Sequence, residues 1–154
     1  MSIDAKAVAD GLLQAVPFAR TIGATFVEVS ADGAGIRVVA ELPDDPRVHN
    51  HVGGPHAGAM FSLGETASGA IVLAAFADHL TDNLPLAVRA DIAYKKLAMG
   101  PVRATATLGR PVADVAADLA AGTRPEFPVH IAITTADGTV TAEMTVVWTL
   151  RRRR

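Results

Sequence analysis

Between Asn50 and Glu65 the chain reads NHVGGPHAGAMFSLGE, a Gly/Pro/His-rich loop running into an almost wholly apolar helical stretch whose one early charge is the Glu65 carboxylate. The start of a helix leaves its first backbone N–H groups without intrahelical acceptors, and the partial positive charge there favours a developing oxyanion. A carboxylate set in an apolar helix has its pKa pushed up by desolvation, towards the range useful for proton transfer. Donors that stabilise an oxyanion and a carboxylate that acts as base or nucleophile suit acyl-transfer chemistry.

Each of these groups also has a structural reading. Glu65 would be a structural carboxylate if Arg89 or Lys95 reached it across the fold, because an acid in apolar surroundings is costly without a partner or a task. His56 reads as a helix-start residue with hydrogen-bonded ring nitrogens more readily than as a base. His49, His51 and His56 alternate along a loop and do not match the helical His-x-x-x-His spacing of common zinc sites, so no metal is expected. Trp148 reads as sheet packing.

The elements that would hold this segment follow from periodicity. Val8, Leu12, Leu13 and Val16 share one face of a helix over about 4–16, which Pro17 is expected to close. Ile22 to Val29 and Ile36 to Leu42 are β-branched and alternating, a hairpin around Ala31-Asp32-Gly33-Ala34-Gly35. From His56 to about Leu80 the sequence is helix-compatible and apolar on nearly every face, so this central helix (about 56–80) must be enclosed. Four further strands are expected at Leu86 to Lys96, Val102 to Gly109, Phe127 to Thr135 and Thr139 to Leu150, with a tight turn at Asp137-Gly138. An Ala/Asp-rich piece at about 111–126 reads as a surface insertion with a short helix. The class is α+β: an antiparallel sheet with one apolar face, and a single helix large enough to cover it.

Composition limits the alternatives. The 154 residues, half of them hydrophobic, suit one domain spanning 1–154. A net charge of −2 with mixed signs carries no general footprint for nucleic acid, and the run Arg151-Arg152-Arg153-Arg154 reads as a solvated tail. Cysteine is absent, which removes thiolate nucleophiles and disulfides. Asp4, Lys6 and Asp10 interrupt any apolar signal-peptide core, and the uncharged apolar stretch Thr66 to Ala77 is 12 residues. A bilayer takes roughly 20 residues, so a cytoplasmic protein without membrane contact is expected.

Element order together with Asn50-x-x-Gly53-x-x-His56-x-Gly58 and an acid seven residues beyond Gly58 resembles the hotdog-fold acyl-CoA thioesterases, especially the branch of the phenylacetate-pathway thioesterase. The resemblance runs from about Val16 to Leu150. It implies a hotdog fold, an antiparallel sheet wrapped around the central helix, and hydrolysis of a CoA thioester, with no cofactor beyond the coenzyme A of the substrate. It also implies that the Ala57 N–H donates to the thioester carbonyl, that Glu65 activates water or attacks the carbonyl, that Asn50 orients water or substrate, and that His56 fixes the loop. This chain has Ala57-Gly58 where the family commonly has Gly-Gly, Glu65 where the close branch has Asp, and Ala87 where a hydroxyl is often found. Met60, Phe61 and Leu63 are core or acyl-pocket wall on this reading. Tyr94, Lys95, Lys96, Arg103 and Arg110 either meet coenzyme A phosphates or are solvated edge charges. Two alternatives stay open: an acyl dehydratase or hydratase pairing His51 with Glu65, although the Pro-Gly-x-Leu pattern of those enzymes is missing, and a non-catalytic acyl-CoA binder.

Helix geometry adds a constraint. Eight residues separate Ala57 from Glu65, so their backbones lie about 12 Å apart on one helix. No single thioester spans that gap. Both groups can act on one carbonyl only if they come from different subunits, which requires a homodimer with two equivalent sites, alone or paired into a dimer of dimers.

Overall fold

The computed structural model describes residues 4–32 and 35–154. The first helix, α1 (Ala5–Ala15), is capped by Asp4, whose carboxylate accepts the Ala7 N–H at 3.1 Å. Pro17 does not end helical structure. It stands at the first position of a second short helix, α2 (Pro17–Thr21), where its missing N–H has no intrahelical partner to lose.

The strands β1 (Thr25–Asp32) and β2 (Gly35–Leu42) form the expected hairpin, with β1 starting three residues later than alternation suggests. Its turn residues Gly33 and Ala34 lie outside the described residues. With β3 (Asn83–Tyr94), β4 (Val102–Leu108), β5 (Glu126–Thr135) and β6 (Val140–Arg152), these strands make one antiparallel sheet in the order β1-β2-β4-β5-β6-β3. As an edge strand, β3 tolerates Pro85 and begins at Asn83, ahead of the Leu86 start expected from sequence.

The central helix, α3 (Ala57–Ala75), lies on the sheet, with Leu63, Ala67 and Ile71 inaccessible to solvent against Val38, Ala40, Ala104 and Ile133. Each such Leu or Ile contributes about 1.5–3 kcal/mol by leaving water. Close approach depends on small residues: a Cβ on Gly64 would meet Met144 Sδ at 2.5 Å. At 19 residues, with Glu65 as its single charge, α3 is long and apolar enough to cross a bilayer on length and composition alone; its burial on the sheet is that of a core helix. It stops short of residue 80 because Phe76, at φ −117°, leaves helical geometry and a single tight turn follows at Ala77–His79.

Enclosure of α3 is incomplete. Phe61, Ser62, Glu65, Gly69 and Leu73, spaced by three and four residues, form a half-buried stripe, bordered at Gly69 by Leu12 of α1 and Trp148 of β6. The arginine run is exposed, as a solvated run would be, yet its first half is strand rather than tail. Arg151 and Arg152 belong to β6 and pair with Leu84 and Asn83, and Arg153 donates its N–H to Asp82 O at 2.8 Å. Backbone pairing is indifferent to side-chain charge, and the early start of β3 supplies the partner. The stretch after β4 carries α4 (Val112–Ala120), mostly exposed and anchored by the buried Val115.

Candidate functional site

The loop before α3 is organised by Asn50. Its side-chain oxygen accepts the N–H groups of Val52 (3.0 Å) and Gly54 (3.2 Å), and its amide donates to Pro55 O at 3.3 Å. The backbone closes the same loop: Asn50 N–H donates to Gly54 O at 2.8 Å, and Gly53 turns at φ 80°, a conformation that favours glycine. Gly54 is where the loop meets the β3–β4 connection, since a Cβ there would stand 2.3 Å from Ala98 O. Asn50 therefore acts first on the loop, with one amide N–H left for anything beyond it.

His56 starts the helix. Its N–H donates to Val48 O at 2.8 Å, and its Nδ1 accepts the Gly58 N–H at 2.9 Å, so that nitrogen carries no proton and the ring is a cap. The helical ladder opens with Met60 N–H on His56 O at 3.0 Å. Ala57 N–H thus has no intrahelical acceptor, and Ala57 is exposed. Tyr94, the last residue of β3, donates its hydroxyl to Ala57 O at 2.7 Å. Burial pushes that hydroxyl above the ordinary phenol value.

A cavity of about 390 Å³ opens beside this helix start, lined among others by Asn50, Ala57, Met60, Tyr94, Lys95 and Lys96. Six of the residues singled out from sequence therefore meet in one place. Lys95 is held there by its N–H on Thr141 O and by an ion pair with Glu143 at 3.1 Å. Arg103 is not part of this group: it pairs with Glu41 at 2.7 Å on the opposite face of the sheet. Phe61 sits on the half-buried stripe of α3, and His51 is exposed on the loop. A second cavity, about 430 Å³, flanks the same helix start and is lined by Phe18, Ile22, Val48, His56 and Ser62 among others. Sequence reading passed it over, although Phe18 and Ile22 stand four apart on the turn opened by Pro17.

Glu65 lies two turns further along α3. It is half-buried, and among the described residues no ion pair or hydrogen bond reaches its carboxylate. The partners considered for it are engaged elsewhere, Arg89 with Glu126 at 3.7 Å and Lys95 with Glu143. Nearby hydroxyls are turned to helix carbonyls: Ser62 to Gly58 O, Thr66 to Ser62 O and Ser68 to Glu65 O. Burial alone pushes the Glu65 carboxyl above the ordinary glutamate value. The loop histidines are separated, with His49 on Asp44 at 2.6 Å, His56 on Gly58 and His51 exposed; among the described residues no three His, Asp or Glu side chains gather as metal ligands would.

The site thus combines an open N–H at a helix start, a polar-rimmed cavity and a lone carboxylate on one helix. No curated protein sequence matches the chain. In three dimensions it is similar to a probable thioesterase from Pseudomonas aeruginosa, with a TM-score of 0.85, 21% identity and 99% of each chain covered. It is also similar to a thioesterase family protein from Silicibacter pomeroyi, with a TM-score of 0.74, 18% identity, and 97% of this chain and 99% of that one covered. The PaaI protein of the Escherichia coli phenylacetic acid degradation operon superimposes with a TM-score of 0.70 at 15% identity, covering 97% of this chain and 94% of its own. These likenesses establish the fold. The model of the family described as domain of unknown function DUF4442 matches residues 4–150, so the chain belongs to that family, and its fold is the hotdog fold.

Proposed function

We propose that the protein is an acyl-CoA thioesterase whose two active sites lie across the two-fold interface of a homodimer. The observation that carries this reading is Glu65, a half-buried carboxylate without a partner among the described residues, on the helix whose N-terminus opens on a cavity. A buried charge left unpaired is unfavourable, and a catalytic task is the reason to keep one.

In the proposed reaction the thioester carbonyl oxygen accepts the Ala57 N–H of one subunit, while Glu65 of the other approaches the carbonyl carbon. Glu65 either takes a proton from the attacking water or adds to the carbonyl to form a mixed anhydride that water then cleaves. In both routes the C–S bond breaks, coenzyme A leaves as the thiol and the acyl group as the free acid. Negative charge on the oxygen is stabilised by a donor already fixed in place, worth roughly 3–4 kcal/mol in comparable sites. Lys95 and Lys96 at the cavity rim suit the phosphates of coenzyme A, and Met60 supplies apolar wall. Two surfaces support the dimer: the exposed run Ala87–Asp91 on edge strand β3, whose free N–H and C=O groups invite pairing, and the half-buried stripe on α3 that includes Glu65. The reaction needs no added cofactor and suits the cytoplasm.

A panel of alkyl and aryl CoA thioesters, followed by release of free thiol, tests the reading. The wild-type protein is expected to hydrolyse members of the panel, and Glu65→Gln to lose at least about 100-fold in turnover with acyl-CoA affinity retained. A variant keeping more than about a tenth of the rate excludes a base or nucleophile role for Glu65. A change in enoyl absorbance without thiol release would replace hydrolysis with hydratase chemistry.

A further inference from the structure

The peptide group joining Ala57 to Gly58 is held at both ends. Its N–H, that of Gly58, donates to His56 Nδ1 at 2.9 Å, and its carbonyl, that of Ala57, accepts the Tyr94 hydroxyl at 2.7 Å. The first bond is local to the cap. The second reaches across 37 positions from the end of β3. An α-helical carbonyl already accepts from the residue four ahead, so the tyrosine bond is a second one on the same oxygen, which has two lone pairs. Tyr94 remains 49% exposed, and its hydroxyl could be hydrated equally well. Its placement matters more for direction than for stability.

The peptide joining His56 to Ala57 is held through its carbonyl, which accepts Met60 N–H, and the peptide before it is anchored by His56 N–H on Val48 O. With the peptide groups on both sides of the Ala57 Cα immobilised, the bearing of the Ala57 N–H is set. The geometry points to Tyr94 as a positioning residue which, together with His56, locks the first turn of α3 so that the Ala57 N–H is aimed before substrate arrives. This differs from the contact with coenzyme A phosphates expected for Tyr94 from sequence, and it rests on the thioesterase reading above. A donor fixed in advance pays no reorganisation at the moment of reaction, so its supports act on the chemical step more than on ground-state binding.

Tyr94→Phe removes the hydroxyl and keeps the ring as cavity wall. It is expected to lower kcat about five-fold, the rate equivalent of one neutral hydrogen bond, while KM stays within about two-fold. In the same variant the Ala57 carbonyl ¹³C resonance should shift and amide exchange at Ala57 and Gly58 should accelerate, with dimerisation unchanged. Unchanged kcat overturns the positioning role, and a rise in KM alone places the hydroxyl on the substrate. If the wild-type protein hydrolyses no thioester in the panel, the thioesterase reading fails by itself. The resonance then still decides the clamp: an Ala57 carbonyl shift identical in Tyr94→Phe shows that the bond does not hold the turn.

Discussion

The loop–helix junction at 49–58 and the stretch around Glu65 belong to one structure and are treated in opposite ways. At the junction, the Asn50 side chain makes three hydrogen bonds, His56 three through its ring, N–H and C=O, and Tyr94 adds one from a distant strand, so the peptide groups on both sides of the Ala57 Cα are held. Two turns on, the Ser62, Thr66 and Ser68 hydroxyls are turned to helix carbonyls, and among the described residues no hydrogen bond or ion pair reaches the Glu65 carboxylate. The contrast follows from what the two groups would do. A backbone N–H has fixed chemistry and only its direction can be improved, which calls for many supports. A carboxylate draws its reactivity from what it lacks: each hydrogen bond or cation would lower its basicity.

Weakening the supported region should therefore matter more than altering an exposed neighbour. Asn50→Ala removes three bonds and leaves the N–H groups of Val52 and Gly54 without their acceptor. Turnover is expected to fall more than about ten-fold and stability by about 1–3 kcal/mol, read from kcat and thermal unfolding. His51→Ala, one residue along on the exposed part of the loop, should stay close to wild type. The reverse order would transfer the chemistry to His51 and favour the dehydratase alternative.

A smaller effect comes from the unsupported region. Below the ordinary glutamate pKa of 4.5 the Glu65 carboxyl is protonated in both the folded and the unfolded chain and costs nothing. As pH rises through that value the unfolded chain ionises first, because burial holds the folded pKa higher. The folded state then loses stability until its own pKa is passed, and the penalty persists above it. Glu65→Gln should accordingly unfold at a higher temperature than wild type at about pH 7 and show no gain at about pH 4. Equal melting temperatures at both values would mean that the carboxylate has a partner in solution.

Much of the frame was legible in the sequence because it is written in local patterns. Alternation located β2, β4 and β5 to within a residue or two, and the apolar run marked α3. Boundaries that depend on a distant partner were not legible: β3 starts at Asn83 and β6 runs into the arginines only because each pairs with the other. The site divides in the same way. Asn50, His56, Ala57 and Glu65 stand close in sequence and could be read together, and the structure places Asn50 and Ala57 in one cavity with Tyr94. The Tyr94 bond to Ala57 and the diversion of Lys95 to Glu143 depend on which strands lie side by side, and no spacing rule in the sequence records that. Arg103 was grouped with the site on charge alone, whereas strand alternation turns it to the opposite face with Glu41.

The central claim is that Ala57 and Glu65 from different subunits serve one thioester, and hybrid dimers test it most directly. Ala57→Pro removes the N–H at the first helical position, where proline fits, and His56 at φ −62° and ψ 141° already has the backbone a following proline requires. Glu65→Ala removes the carboxylate. Either homodimer should be inactive at both sites. After subunit exchange, each hybrid carries one site with both lesions and one with neither, so a random mixture should recover about a quarter of wild-type activity, half of the dimers being hybrids with one intact site. Hybrids confirmed by native mass spectrometry that remain inactive would contradict the shared site and return the two groups to separate roles.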